Sequence, residues 1–373
     1  MKVLALEGQK SLKSFIDFPH DLYRNDPNYV PELYIAQHDI LTPGKHPFHE
    51  HSKVQLFLAY DDQNKVCGRI AAILNNNHNT FNNTTDGFFG FFECINNQEV
   101  ATALLNEAEV WLKKQGITNI IGPANFSTNE TVGLLVDGYD SPPVVMMPYN
   151  YSYYLQLIEN AGYAKKTDLL AYDVPYDTHN DRSVRLLGAL QARLKRSNII
   201  IRKLNMKDFK NEAAKLRDVY NQAWDRNLGF VPMTEKEFDH MAKDLKLILN
   251  PEFCLVAEQG DKFIGFALGI PDINQVLRKV KRGRLLPFGI FKLLFGLKKV
   301  DWLRVMALGV LTEYRKLGIE ACLYGIIIQN AMANNIKGAE CSWMLEDNYM
   351  MNNAIEAING KIYKKYRLLE KAL

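Results

Sequence analysis

The chain has 373 residues, 47% of them hydrophobic and 23% charged, with a formal net charge of +3 and a pI of about 8.4. That length suggests two domains, the composition is that of an ordinary soluble globular protein, and the charge is too small to argue for nucleic acid as a partner. The longest apolar run, Leu285–Leu297, falls short of the ~20 residues of a membrane span and is interrupted by Lys292.

In chain order, the N-terminus "MKVLALEGQKSLKSF" has no apolar stretch long enough for a signal peptide. It opens with a strand over Lys2–Leu6, followed by one or two helices. A β-hairpin is expected over Leu58–Ala72, "LAYDDQNKVCGRIAA". Next come a strand, Gly87–Glu93, and a strongly periodic helix, Glu99–Gln115, stopped at Gly116. A strand, Asn119–Gly122, leads into a long insertion, Gly122–Tyr154, and then into a helix and terminal strand within Leu157–Tyr172. Asp173–Asp181, polar with one proline, reads as a linker, and Arg182–Arg196 as a helix.

The same order then returns: a strand at Ile199–Lys203, helices, and a hairpin, "LVAEQGDKFIGFALG" (Leu255–Gly269), that aligns with the first without a gap. A strand at Arg304–Val310 follows, then a periodic helix at Ile319–Asn334 with Gly338 at its stop. A strand at Ala339–Leu345 precedes a last helix and strand within Ala354–Glu370. Leu22-Tyr23 stands ahead of "NYVP" as Val219-Tyr220 stands ahead of "GFVP". Two long copies point to duplicated domains, since a solenoid needs more and shorter repeats. The expected architecture is α/β, two domains with mixed sheets flanked by helices, 1–175 and 182–373.

"LTEYRKLGIEACLYG" (Leu311–Gly325) places a turn between an apolar strand and a periodic helix. Unpaired amides at a helix N-terminus suit an anion. Gly318 lets backbone approach it closely, and Arg315 adds charge. This arrangement resembles the pyrophosphate motif of the GNAT N-acetyltransferase superfamily, matched at Arg315 and Gly318 and departed from at Glu320. The resemblance covers 199–373 and weakly the first half, as in uncharacterised bacterial tandem GNAT-like proteins. It implies an acyl-CoA, expected as acetyl-CoA, with Arg315, Lys316, Leu317, Gly318 and Ile319 cradling the diphosphate. Amides near Leu308, Gly309 and Val310 would meet the oxyanion, and Asn348 or Asn352 would hold the pantetheine. Glu346 is the candidate base. The family's helix tyrosine has no counterpart in "AIEAI", which leaves Tyr363 as a candidate acid out of register. The plainer reading of "EDN" is a helix cap.

The first half lacks the motif and is expected not to bind coenzyme A. Its insertion offers Asn125, Ser127, Asn129, Glu130, Tyr149 and Tyr151 as acceptor-binding candidates, or else is a packed loop. His46, His49 and His51 lack a carboxylate or cysteine at ligand spacing, so a polar loop is expected there and no metal. Leu277–Lys299 carries eight basic residues and no acid. A solvated basic loop with an apolar anchor is expected there in preference to a membrane-surface element. Five cysteines without a CxxC spacing suit buried thiols in a reducing cytoplasm. The expected activity is acyl transfer from acyl-CoA to an amine of a small molecule or peptide. Its alternatives are a catalytically silent scaffold of the same fold and an aminoacyl- or lipid-acyl-transferring tandem protein.

Overall fold

The computed structural model describes residues 1–176, 182–224 and 229–373. The first half contains β1 (Lys2–Ala5), α1 (Gly8–Leu22), α2 (Tyr34–Ile40), β2 (Lys53–Tyr60), β3 (Val66–Leu74), α3 (Asn76–Asn82), β4 (Asp86–Cys94), α4 (Gln98–Lys114) and β5 (Asn119–Gly122). Its insertion forms β6 (Ala124–Asn125), β7 (Thr131–Val132) and β8 (Leu134–Asp137), ahead of α5 (Tyr153–Asn160) and β9 (Ala164–Pro175). The helix α6 (Arg182–Arg196) leads into β10 (Ile199–Lys203), α7 (Phe209–Ala223), α8 (Glu235–Leu245), β11 (Cys254–Gln259), β12 (Lys262–Pro271), α9 (Asn274–Leu277) and α10 (Gly289–Leu297). The chain closes with β13 (Trp302–Val310), α11 (Ile319–Ala333), β14 (Gly338–Leu345), α12 (Tyr349–Glu356) and β15 (Lys361–Ala372).

Both halves wind alike. β1 to β4 are antiparallel neighbours and β5 joins β4 in parallel; β10 to β13 and then β14 repeat this pattern. The closing strands are exchanged. β9, from the first half, pairs with β14, while β15, from the second, pairs with β5 and β8. β9 and β15 also pair with each other, so one mixed sheet runs through the molecule.

Helices on both faces explain why central strands such as β3 are buried along nearly their whole length. α4 turns Val100, Leu104, Leu105, Ala108 and Leu112 onto the first half's sheet at helical spacing. α11 does the same with Ile319, Cys322, Leu323, Ile327 and Ile328, beside Leu187 and Leu194 of α6. The first three residues of the expected linker belong to a strand: β9 runs through Asp173 to Pro175, Tyr176 is buried, and 177–181 lie outside the described residues. All five cysteines are free and buried. No helix among the described residues is long and apolar enough to cross a membrane.

Candidate active site

The parallel ladder of β13 and β14 runs from Trp302–Gly338 only as far as Val305–Cys341. β13 then bulges at Met306, where its register against β12 shifts. β14 bends over Ser342–Trp343, where its register against β9 shifts. The two strands therefore part, and the edge of β13 from Met306 to Val310 loses its partner on that side.

The end of β13 feeds directly into the N-terminus of α11. Lys316 (φ 74°) and Gly318 (φ 89°) take left-handed backbone, and no side chain caps the first-turn amides. At Gly318 a Cβ would stand 3.0 Å from Leu190 of α6, so glycine serves both the turn and the packing. Arg315 braces the turn, its Nε donating to Val310 O and its Nη2 to Ala223 O, both at 3.2 Å. Two of its five N–H groups are thus committed, and the exposed guanidinium keeps its charge and its other donors. Amides, glycine and charge together fit a diphosphate.

The first half shuts both features with its own residues. Asn97 caps α4 by accepting from Val100 N. β4 and β5 also part after Phe88–Ile121, but β6 enters the opening. Asn125 Oδ1 accepts from Phe91 N at 2.7 Å, and a Cβ on Gly90 would stand 1.9 Å from Ala124 O. Tyr154 OH takes the amide of Cys94 at 3.0 Å.

Two curated bacterial proteins match along nearly the whole chain. Protein YghO of Escherichia coli (strain K12) is 35% identical over 374 residues, spanning 98% of this chain and 94% of its own. The bacterial ceramide synthase of Caulobacter vibrioides is 35% identical over 383 residues, spanning 100% and 98%. The chain belongs to the family of these two proteins. No protein-family model matches it. Among solved structures, a tandem GNAT protein from the clavulanic acid biosynthesis pathway superposes with a TM-score of 0.59 at 9% identity, covering 100% of this chain and 98% of that one. A GCN5-related N-acetyltransferase from Anabaena variabilis superposes with a TM-score of 0.53 at 10% identity, covering 99% and 72%. The fold is that of tandem GNAT proteins, and the family of the ceramide synthase carries it here with its closing strands exchanged.

The sequence-derived residues fall into separate groups on this fold. Leu308, Gly309 and Val310 lie on the unpartnered stretch of β13. Gly309 is required by packing, since a Cβ there would stand 2.6 Å from the ring of Trp224. Asn348 caps α12 by accepting from Met351 N. Asn352 is buried, donates to Leu345 O at 3.0 Å and leaves Oδ1 without a partner, the kind of atom a bound amide satisfies. Glu346 does not stand free. Partial burial alone would push its carboxyl up, but Lys165, at 2.8 Å, and the Asp168 amide hold it below the usual range. A carboxylate held below its usual range by a lysine is a poor base.

Tyr363 sits in a buried polar cluster at the strand parting. Its hydroxyl and that of Ser342 both donate to Glu340. Arg304 donates to Ser342 Oγ at 3.0 Å and to the carbonyls of Val145 and Met146 at 3.1 Å. Lys364 donates to Gly138 O and Ser141 O. Burial raises the Glu340 carboxyl, and burial with that neighbouring carboxyl raises Tyr363. Sequence reasoning passed over Glu340, Arg304 and also Tyr324, whose buried hydroxyl has no partner and lies near Cys341. The available signal was charge inside apolar strands, in "WLRVMAL" and "GAECSWML".

The insertion candidates do not converge. Asn125 and Tyr149 line a cavity of about 290 Å³ with His20, Arg69, Glu93 and Met146. Ser127 and Glu130 bond each other, and Asn129 bonds Val231 O and Tyr220 OH across the two halves. Tyr151 packs on Tyr23 and Tyr153. The histidine segment expected as a polar loop is tied down as well: His51 binds Glu237 and His49 binds Ile40 O.

Proposed function

We propose that the chain is an N-acyltransferase that moves a fatty acyl group from acyl-CoA to the amine of a long-chain amino alcohol. The observation that carries the reading is the parting of β13 and β14 beside the uncapped N-terminus of α11, while the first half blocks both features with Asn97 and β6. On this reading 182–373 holds the coenzyme, with Lys316–Ile319 on the diphosphate and Asn352 on the pantetheine arm, and 1–175 is a degenerate unit. The thioester supplies an activated carbonyl; no metal is called for.

The acceptor class follows from the family, because a ceramide is by constitution the fatty amide of a long-chain amino diol. A fatty acyl group therefore replaces the acetyl group expected from sequence. The cavity of about 290 Å³ suits the acceptor's alkyl chain, with Ile16, Val30, Leu134 and Leu277 in its wall. Its Val145–Met146 wall is held by Arg304, which also grips Ser342 at the strand parting. The amine nitrogen attacks the acyl carbon, the C–S bond breaks, and the leaving sulfur takes a proton. Glu340 through Tyr363 receives the ammonium proton, and the partnerless Tyr324 hydroxyl faces the role of acid.

Incubation with palmitoyl-CoA and a saturated long-chain 2-amino-1,3-diol, followed by thiol titration and mass spectrometry, tests this. Amide formation with matching thiol release is expected. Coenzyme A binding without any amide from amino diols or simple long-chain amines would leave the silent-scaffold reading. An Ala36→Trp change on the cavity rim should lower kcat/KM for long acceptors more than for short ones and leave coenzyme A affinity unchanged.

A further inference from the structure

The segment from Leu277 to Lys299, expected as a solvated basic loop with an apolar anchor, holds a helix, α10, that buries only one of its apolar faces. α10 is seated closely on the body of the protein. A Cβ on Gly289 would stand 2.4 Å from Arg284 O and one on Gly296 would stand 2.5 Å from Val276, two turns apart on one face. Leu293 and Leu297 pack inward on the cluster around Ile273, Leu277 and Val280. The opposite face is apolar too and lies open: Phe288 is 73% exposed, Phe291 55%, Leu294 56% and Phe295 73%, with Leu286 just ahead at 80%. A helix that is apolar all round belongs in a core or in lipid, and exposed apolar side chains in one contiguous group mark an interaction surface.

The charges around this face are sorted. Arg282 and Arg284 turn inward, to Asp21 at 2.8 Å and Asp17 at 3.0 Å, and fasten the segment to α1. Arg278, Lys279, Lys281, Lys292, Lys298 and Lys299 are exposed, and no acidic residue lies between 277 and 299. Four of them, Arg278, Lys279, Lys292 and Lys299, also line a cavity of about 620 Å³ beside Phe295 and Gly296, together with the carboxylates Asp272 and Asp301.

We propose that the face of α10 docks on an anionic lipid bilayer, its phenylalanines entering the head-group boundary and its rim of cations meeting the lipid phosphates. A second copy of the chain suits the face less well. A two-fold contact would set this patch against itself and bring the acid-free rim of one copy onto that of the other. α9 extends the relationship inward, since Asn274 and Leu277 also line the cavity of about 290 Å³. The docking rests on exposure and charge alone and is independent of the acyl-transfer reading.

Co-sedimentation of the full chain with phosphatidylcholine vesicles, and with vesicles that also contain phosphatidylglycerol, tests the proposal without reference to activity. The wild type should partition onto the anionic vesicles and much less onto the neutral ones. The triple variant Phe288→Ser, Phe291→Ser, Phe295→Ser alters exposed side chains only, so its thermal melt should match wild type while its partition falls at least about tenfold. Lys298→Glu with Lys299→Glu should lose binding to the anionic vesicles selectively. The proposal is overturned if the wild type stays in the supernatant with both vesicle types. It is equally overturned if the folded triple variant partitions like wild type, or if light scattering shows a dimer that the triple variant dissolves and no vesicle binding.

Discussion

Arg304 donates from Nε to Ser342 Oγ at 3.0 Å, joining β13 to the first residue of β14 beyond their parallel ladder. The same guanidinium holds two carbonyls of the insertion, so one buried side chain fixes the strand parting against the wall of the neighbouring cavity.

Removing that side chain should be costly. Burial alone disfavours charge on Arg304, and Glu340 close by offsets this. Arg304→Met strands the buried Glu340 and frees Val145 O and Met146 O. A loss of about 3–5 kcal/mol in urea unfolding is expected. Arg304→Met combined with Glu340→Gln should recover part of it, because no uncompensated carboxyl then remains. A single-variant loss below about 1 kcal/mol would show that the pair contributes little.

The two helix N-termini at the strand partings should lose similar stability on substitution but differ in coenzyme A binding. Asn97 caps α4, so Asn97→Ala should lower stability by about 1 kcal/mol. At α11 the sensitive residue is Gly318, whose φ of 89° costs a side chain about 1–2 kcal/mol. Gly318→Ala should therefore destabilise by a similar amount and also weaken coenzyme A binding, a second readout that Asn97→Ala should leave unmoved. Thermal melts and calorimetry on the two variants separate these effects.

A buried carboxyl gives a pH-dependent prediction. Burial is the largest influence on Glu93 and pushes it up to about 7, against the partial relief of Arg69 and the hydroxyls of Tyr154 and Tyr23. Between its ordinary value near 4.5 and about 7, the folded state holds a proton that the unfolded state has released, so wild-type stability falls as pH rises through that window. Glu93→Gln has no such slope. The stability of the variant relative to wild type should improve by up to about 3 kcal/mol from pH of about 5 to about 8. A difference that stays constant with pH would refute the assignment.

Elements whose evidence is local were legible in the sequence. α6, β5 and β10 lie where periodicity and flanking stops placed them, and the duplicated hairpins predicted the shared winding. The strand exchange was not legible, because "AKKTDLLAY" and "KIYKKYRLLE" are alike, and nothing local says which sheet either strand joins. Glu346 drew attention because it sits among polar residues at a helix entry, where Lys165 from the exchanged strand β9 neutralises it. Glu340 was hidden inside a strand, its partner Tyr363 contributed by the other exchanged strand. α10 was misjudged because apolar residues in a basic stretch are expected to bury themselves. Its two glycines instead seat one face and leave the phenylalanines outside.

The turn "RKLGIE" brings the last prediction. Arg315 serves the site twice, as a brace on Val310 O and Ala223 O and as a charge beside the amides of α11. Arg315→Ala should weaken coenzyme A binding by about 1.5–3 kcal/mol, the range of hydrogen bonds to charged groups. Exposed Lys316 makes no such brace, so Lys316→Ala should cost less. Glu320 stands in the first turn of α11, one turn before Tyr324, whose phenol it influences, so its carboxylate lies on the face that Tyr324 turns toward β14. Removing that charge from beside a diphosphate should raise affinity by about 0.3–1 kcal/mol, while sacrificing a similar favourable interaction with the helix dipole. Calorimetric titration of wild type, Arg315→Ala, Lys316→Ala and Glu320→Ala with coenzyme A should therefore rank them with Glu320→Ala tightest and Arg315→Ala weakest. Binding by Glu320→Ala alone would mean that Glu320 excludes the diphosphate and that this family member uses its GNAT fold without coenzyme A.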